Sequence, residues 1–140
     1  MAHQEPLITF ESDVAWQNKH LNVSANVERL YDAWNRLSDR SRPERNEWLA
    51  GLGTLQQIVR DAEAMGKRVR GLGGAWSLSQ AAVTQDHMVN TKPLNYMDIG
   101  IQQANLDPAF QGIPEQLVFA QCGASILEFN QELEARNLSL

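Results

Sequence analysis

The sequence predicts an α/β (α+β) fold in which helices pack on a small mixed sheet. Three observations favour it. Apolar residues recur at helical spacing along residues 54–65. That segment is followed at 68–72 by a basic strand candidate, which runs into a loop with three glycines in four positions. Residues 117–120 are apolar throughout, which is typical of a strand buried on both faces.

The first forty residues predict strands and then a helix. Residues 7–10 and 14–16 are β-prone, with turn-forming residues between them, so we expect a hairpin or a pair of short strands. Residues 26–37 carry apolar side chains at helical spacing, with Ser24 or Asn26 available as the N-cap. This pattern predicts a core-packing helix.

The next segment predicts a surface loop and a short helix. Residues 38–43 are rich in serine and arginine and end in proline, which breaks the helical pattern. Ser41 and Glu44 have the spacing of a capping box, so we expect a short helix that ends at the glycines of 51–53.

The helix predicted at 54–65 has start and stop signals of its own. Thr54 and Gln57 are spaced as a capping box, and Gly66 suits the left-handed position that ends a helix. Its apolar stripe is expected to face the core and consists of Leu55, Ile58, Val59, Ala62 and Met65.

The glycine loop that follows the basic strand is the leading candidate for a functional site. Gly71, Gly73 and Gly74 leave the backbone free to adopt positive φ angles and to lie against a ligand with no Cβ between them. Successive exposed N–H groups in such a turn form a concave anion site. A tight surface turn is the alternative interpretation.

Two other phosphate-binding motifs fail at this loop on residue identity. A dinucleotide-binding Gly-x-Gly-x-x-Gly motif would need glycine at Trp76 and a helix immediately afterwards. A Walker loop needs Gly-Lys-Ser/Thr, but Gly66-Lys67 is followed by Arg68.

Downstream of the loop the pattern predicts more strands and a last helix. Residues 88–91 and 96–101 are strand candidates, and 102–115 is a polar connection. Ser125 and Glu128 predict a capping box for a helix with an apolar stripe of Ile126, Phe129 and Leu133. Asn137 is expected to stop that helix, and 138–140 to begin a strand.

Composition excludes several classes of function. A formal charge of −5 gives no basic surface for nucleic acid, and no segment is long and apolar enough to suggest a membrane partner. The single cysteine, Cys122, excludes an internal disulfide framework, and we expect it to be a small buried hydrophobe. His3, His20 and His87 are scattered, so no metal site is expected, and His87 fits a turn. The chain is expected to be soluble and cytoplasmic.

Three groups of residues share the pattern of a known family: 56–62 with 67–77, then 86–90 with 94–95, then 118–123 followed by Glu128, Leu133 and 138–140. Together they resemble the start of the FAD-binding domain of the vanillyl-alcohol-oxidase (p-cresol-methylhydroxylase, PCMH) type. This family includes sugar-lactone oxidases and berberine-bridge-type enzymes. In this part of its FAD-binding domain the family has an amphipathic helix, a strand and then the motif Gly-x-Gly-His-Ser. Trp16-Gln17-Asn18 is similar to a strand segment that often precedes that domain. The resemblance covers residues 54–140.

The resemblance implies a flavoprotein that binds FAD through main-chain N–H groups of the glycine loop. Carried over onto this sequence, the cofactor-binding residues are Gly71, Leu72, Gly73, Gly74, Ala75, Trp76 and Ser77. Gly74 stands where many members have the histidine that bonds to flavin, and Ala75 stands where the family has serine. FAD is therefore expected to be non-covalent at this loop, with Trp76 as a candidate wall of the flavin pocket.

The resemblance also implies a division of the chain. Residues 1–53 would be a lead-in segment, and 54–140 a partial PCMH-type domain, truncated before its second half and the substrate domain. We expect the FAD-binding portion of an oxidoreductase acting on an alcohol or sugar-like substrate, a fragment without activity alone. Catalytic residues are not identified. The alternatives are a binding or interaction module without the cofactor, or a subunit completed by a second chain.

Overall fold

The computed structural model describes residues 8–35, 48–110 and 112–139. Two sheets and two helices make up the regular structure of these residues. In chain order the elements are β1 (Ile8–Gln17), β2 (Ser24–Ala33), α1 (Trp48–Ala64), β3 (Val69–Leu72), β4 (His87–Asn90), β5 (Met97–Ile99), β6 (Val118–Ala120) and α2 (Ile126–Glu134). Three short 3₁₀ turns lie in the connections.

The larger sheet has four strands in the order β1-β2-β4-β3. β1 pairs antiparallel with β2, whereas β4 lies parallel to both β2 and β3. The smaller sheet is the antiparallel pair β5-β6. A small mixed sheet with helices is thus present, as the sequence predicts at the level of an α+β fold.

One face of the larger sheet packs against α1 to form the core. Tyr31 and Ala33 of β2 and Val89 of β4 meet Ile58 of α1 and Leu94 of the following turn. Each is at least nine-tenths buried, so the cluster supplies the apolar burial that stabilises the fold. The carboxyl ends of β3 and β4 leave this core side by side.

The predicted pair of N-terminal strands is one continuous strand. β1 runs without a turn through residues 11–13 and pairs with β2 from Ile8 to Gln17. Asp13 has a positive φ of 54°, but the register is the same on either side of it. The turn-forming residues there are accommodated inside a long hairpin, because the ladder with β2 compensates for their low β-propensity.

The helix predicted at 26–37 is wrong, because residues 24–33 form the central strand β2. Val27, Tyr31 and Ala33 are buried on alternating positions of this strand. Over so short a segment the apolar residues fit both the 3.6-residue period of a helix and the two-residue period of a strand. Pairing with β1 and β4 decides in favour of the strand. Residues 36–47, which hold the predicted loop and the Ser41–Glu44 capping box, lie outside the described residues.

Helix α1 begins six residues before the predicted start, and its predicted end is confirmed. Thr54 is not an N-cap: its hydroxyl lies inside the helix and donates to the Ala50 carbonyl at 3.0 Å. Gly51 and Gly53 are helical, although they were expected to end the preceding helix. Gly66 has a φ of +66° and stops the helix as predicted.

The stripe predicted for this helix is partly wrong. Ile58 and Ala62 are buried, but Val59 and Met65 are exposed. The strands predicted at 68–72, 88–91 and 96–101 are present as β3, β4 and β5. β6 is present too, but two of its three residues are exposed, because it pairs on one side only with β5 in a two-stranded sheet.

Helix α2 has the predicted capping box. The Ser125 hydroxyl accepts from the Glu128 N–H, and the Glu128 carboxylate accepts from the Ser125 N–H. Asn137, with a φ of 55°, follows the helix end, where the Leu138 N–H donates to the Leu133 carbonyl. Residues 138–139 are not in a strand, contrary to the prediction, and Ile126 is exposed rather than core-facing.

Candidate functional site

A cleft of about 800 Å³ lies where the loops after β3 and β4 meet the start of α2. Among the described residues, four separate segments of the chain form its walls. They are the β1–β2 turn (Lys19), the glycine loop (Gly73, Gly74, Trp76), the turn after β4 (Thr91, Lys92) and the start of α2 (residues 122–128). The carboxyl ends of parallel strands are a common place for a ligand site.

The glycine loop is held through its carbonyl groups by the turn of the β1–β2 hairpin. The Lys19 N–H donates to the Ala75 carbonyl at 3.0 Å. The Asn18 side chain, almost fully buried, donates to the Ser77 carbonyl at 2.8 Å. Asn22 donates in the same way to the carbonyl of Leu78 at 3.1 Å. The loop is therefore tethered on one side only.

The N–H groups of this loop have no acceptors in the part of the chain that the structure describes. From Gly73 to Ser77, no backbone N–H donates a hydrogen bond to any residue that the structure describes. A run of unpaired N–H groups, tethered through the carbonyls, offers donors to an anion in the cleft.

The glycines achieve this without the positive φ angles expected of them. Within the loop only Ala75 adopts a left-handed φ, of 59°, whereas Gly71, Gly73 and Gly74 do not. A Cβ added at Gly73 would meet no atom within 4 Å. Gly73 is therefore not required by its backbone conformation. Its missing side chain leaves open space on the cleft side of the loop.

The predicted site residues are divided between the cleft and its support. Gly73, Gly74 and Trp76 line the cleft, while Gly71 and Leu72 belong to β3. Ala75 and Ser77 supply the carbonyls that the hairpin holds. Trp76 is 63% exposed and packs edge-on against His20.

Two lysines bring positive charge to the cleft. The Lys19 ammonium lies 4.4 Å from the centroid of the Trp76 ring, a cation–π contact that fixes its position beside the loop. Lys92 follows β4, and its N–H donates to the Asn90 side chain at 3.2 Å. Among the described lining residues the one carboxylate is that of Glu128, which accepts from both the N–H and the hydroxyl of Ser125 at 2.7 Å.

Gly123 brings the start of α2 against the turn after β4. Its N–H donates to the Leu94 carbonyl at 2.8 Å. An added Cβ would lie 2.6 Å from that carbonyl oxygen and 2.7 Å from the oxygen of Lys92. Only glycine permits this approach. The lining residues Lys19, Lys92 and Gly123 were not predicted, because each is distant in sequence from the glycine loop.

Cys122 is exposed beside Gly123, contrary to the prediction that it is buried. It precedes α2 in a turn rather than lying within β6, so its side chain reaches the surface. Within the described residues, no group of three or more histidine, cysteine, aspartate and glutamate side chains could hold a metal ion. Neither described helix has the length and apolarity to cross a membrane.

A second set of ionisable groups lies at the amino ends of β3 and β4, away from the cleft. His87 is fully buried within β4 rather than in a turn, and neither ring nitrogen makes a hydrogen bond to any of the described residues. The nearest carboxylate oxygen, of Glu28, is 3.7 Å from its Nε2. A hydrogen bond from Lys67 lowers the pKa of Glu28, and one from Arg68 lowers the pKa of Asp86.

Comparison with known proteins brings no match to this chain, whether against family models, curated proteins or solved structures. What the cleft can bind is therefore inferred from its own residues and their chemistry.

Proposed function

We propose that this protein binds FAD non-covalently in the cleft, with the diphosphate of the cofactor against the N–H groups of the glycine loop. The observation that carries this proposal is the run of N–H groups from Gly73 to Ser77 that make no hydrogen bond to the described residues. The carbonyls of Ala75 and Ser77 in the same loop accept hydrogen bonds from the β1–β2 turn. A diphosphate offers oxygen acceptors at the spacing of successive amides, and it needs close backbone approach. Gly73 and Gly74 allow that approach, because neither has a side chain.

The chemistry of the walls also supports a dinucleotide with a planar ring system. Trp76, Ile126 and Leu127 line the cleft and are 63%, 69% and 68% exposed. Exposed apolar side chains around a polar loop are typical of sites that bury an aromatic ligand. A cleft of about 800 Å³ is within the range of cofactor sites.

On this proposal the protein contributes the FAD-binding part of a flavin-dependent oxidoreductase that acts on an alcohol or sugar-like substrate. The flavin carries the redox chemistry, while the protein supplies binding and orientation. The residues that bind are main-chain donors of the loop. Gly74 has no side chain that could bond to the flavin, so attachment there is non-covalent.

The test is a titration of FAD into the parent protein, Gly73→Val and Leu72→Val, followed by flavin fluorescence. The space beside Gly73 is open in the free protein, so Gly73→Val is expected to fold normally. Its branched side chain would occupy the position of the phosphate oxygens, roughly 2.7–3.2 Å from the backbone nitrogen. We expect FAD binding to be lost or weakened at least about tenfold, which is about 1.4 kcal/mol.

Leu72→Val is the matched control, because it changes an apolar side chain of β3 at the neighbouring position and leaves the loop unaltered. It should bind FAD as the parent does. Circular dichroism confirms that each variant is folded. If folded Gly73→Val binds FAD as tightly as the parent, the loop does not hold the cofactor and the proposal is wrong.

A further inference from the structure

Lys19 and Lys92 line the cleft from two different elements, the β1–β2 turn and the turn after β4, and Lys92 also borders a second hollow next to Asp32 and Asn90. Lys19 is positioned twice by the glycine loop, through its N–H on the Ala75 carbonyl and its ammonium over the Trp76 ring. Lys92 is positioned at its base by the Asn90 side chain. The backbone of both lysines is therefore held by hydrogen bonds, and both side chains begin at the edge of the cleft that the glycine loop lines.

Neither lysine is neutralised by a carboxylate among the residues that the structure describes. Three cations next to the strands and α2 are paired with carboxylates, Lys67 with Glu28, Arg68 with Asp86 and Arg136 with Glu132. Arg29 and Arg70 donate to neutral oxygens instead, the Tyr31 hydroxyl and the Ala81 carbonyl. Lys19 and Lys92 make no ion pair with any residue in 8–35, 48–110 or 112–139. In a chain of net charge −5, two unpaired cations on one cleft make it locally favourable for an anion.

We infer that Lys19 and Lys92 are phosphate-binding residues of the cleft, and that they supply the charge which the glycine loop, a set of neutral donors, cannot. This inference rests on the proposed function and assigns the ligand's two phosphates to two side chains. The ammonium groups neutralise the diphosphate while the loop N–H groups fix its orientation. Hydrogen bonds between ammonium and phosphate are the stronger, charge-assisted kind.

Glu128 has the opposite effect at the same cleft. Its carboxylate is tied to Ser125 in the capping box, so it stays near the start of α2 and repels an anion. A glutamine at this position can keep the capping box and remove the charge. The inference therefore predicts that removing a lysine charge weakens the binding of a phosphate ligand and that removing the Glu128 charge strengthens it.

The experiment measures dissociation constants of FAD, ADP and riboflavin for the parent, Lys19→Met, Lys92→Met and Glu128→Gln. FAD and ADP carry a diphosphate, and riboflavin carries no phosphate. Each methionine variant keeps an apolar stem and loses the charge, so FAD and ADP should each bind about tenfold more weakly. Riboflavin affinity should not change. Glu128→Gln should bind FAD and ADP more tightly. Raising the salt concentration should weaken binding by the parent more than binding by a variant that carries both Lys19→Met and Lys92→Met.

Arg60→Met is the matched control, since it removes one positive charge from the exposed surface of α1, outside the cleft. It should leave all three affinities unchanged. If the parent binds FAD and both lysine variants bind it within about twofold of the parent, the lysines are not phosphate ligands, although the proposed function stands. If the parent binds neither FAD nor ADP, both the inference and the proposed function are overturned. Lysine-dependent binding of ADP without FAD supports the phosphate site alone.

Discussion

Gly123→Ala should destabilise the protein and disrupt the cleft, because Gly123 is the point where the start of α2 touches the turn after β4. An alanine Cβ would lie 2.6 Å from the Leu94 carbonyl oxygen and 2.7 Å from that of Lys92, and nearer still to that of Thr91. Carbon and oxygen atoms that are not bonded do not approach so closely, so one backbone segment must move away by about 0.5 Å or more.

The cost has two parts. Overpacking against rigid backbone destabilises by roughly 1–3 kcal/mol. The displacement also stretches the hydrogen bond from the Gly123 N–H to the Leu94 carbonyl, a loss of about 0.5–1.5 kcal/mol. We expect a decrease of about 2–4 kcal/mol in the free energy of unfolding, a large part of the 5–15 kcal/mol typical of a small domain.

The assay is urea denaturation followed by circular dichroism, with Gly53→Ala as the matched control. Gly53 lies exposed inside α1, and a Cβ added there would meet no atom within 4 Å. The same substitution should therefore stabilise the protein by up to about 1 kcal/mol, because alanine is the better helix former. If Gly123→Ala is as stable as the parent, the close approach between these two turns is wrong.

Three further outcomes are expected. Acid denaturation of the FAD complex should release all flavin, because Gly74 cannot bond to it, and a flavin-bearing peptide spanning the loop would contradict this. Lys67 lowers the pKa of Glu28, so this pair stabilises the protein above the ordinary glutamate pKa and the contribution is lost as the pH falls through the lowered value. Denaturation of Glu28→Gln between about pH 6 and pH 3 should show a smaller pH dependence than the parent. His87→Leu removes two buried nitrogens that make no hydrogen bond to the described residues, so thermal unfolding should show stability equal to the parent's or higher by about 1 kcal/mol. A clear loss would show that the 3.7 Å contact between His87 Nε2 and Glu28 stabilises the fold.

Local signals in the sequence were sufficient where the structure depends on local interactions. The capping box of α2 and the left-handed stop at Gly66 are satisfied within one turn of their helices, so residue identities determine them. The β3 strand and the glycine loop after it were also located from their residue identities, although β4 pairs with β3 and the β1–β2 turn holds the loop. Neither of the two helix signals depends on a distant segment.

Non-local packing explains what the sequence did not show. Residues 24–33 form a strand because β1 and β4 pair with them, and that pairing has no signature within the segment itself. Gly51 lies inside α1 and does not end a helix. A Cβ there would be 2.7 Å from the Leu94 side chain, so glycine allows the helix to pack closely against Leu94. The same holds for the cleft. Its glycine loop was predicted, but Lys19 and Gly123 come next to that loop only through the tertiary fold.

The most direct test of FAD binding at the loop is a titration of the ¹⁵N-labelled protein with FAD, followed by the amide resonances in two-dimensional NMR. The unpaired N–H groups from Gly73 to Ser77 should become donors to the diphosphate, so their resonances should shift most and saturate with the cofactor. The amides of α1, outside the cleft, serve as the internal reference. If saturating FAD leaves the resonances of Gly73 to Ser77 in place, the loop does not bind the cofactor and the proposed function is contradicted.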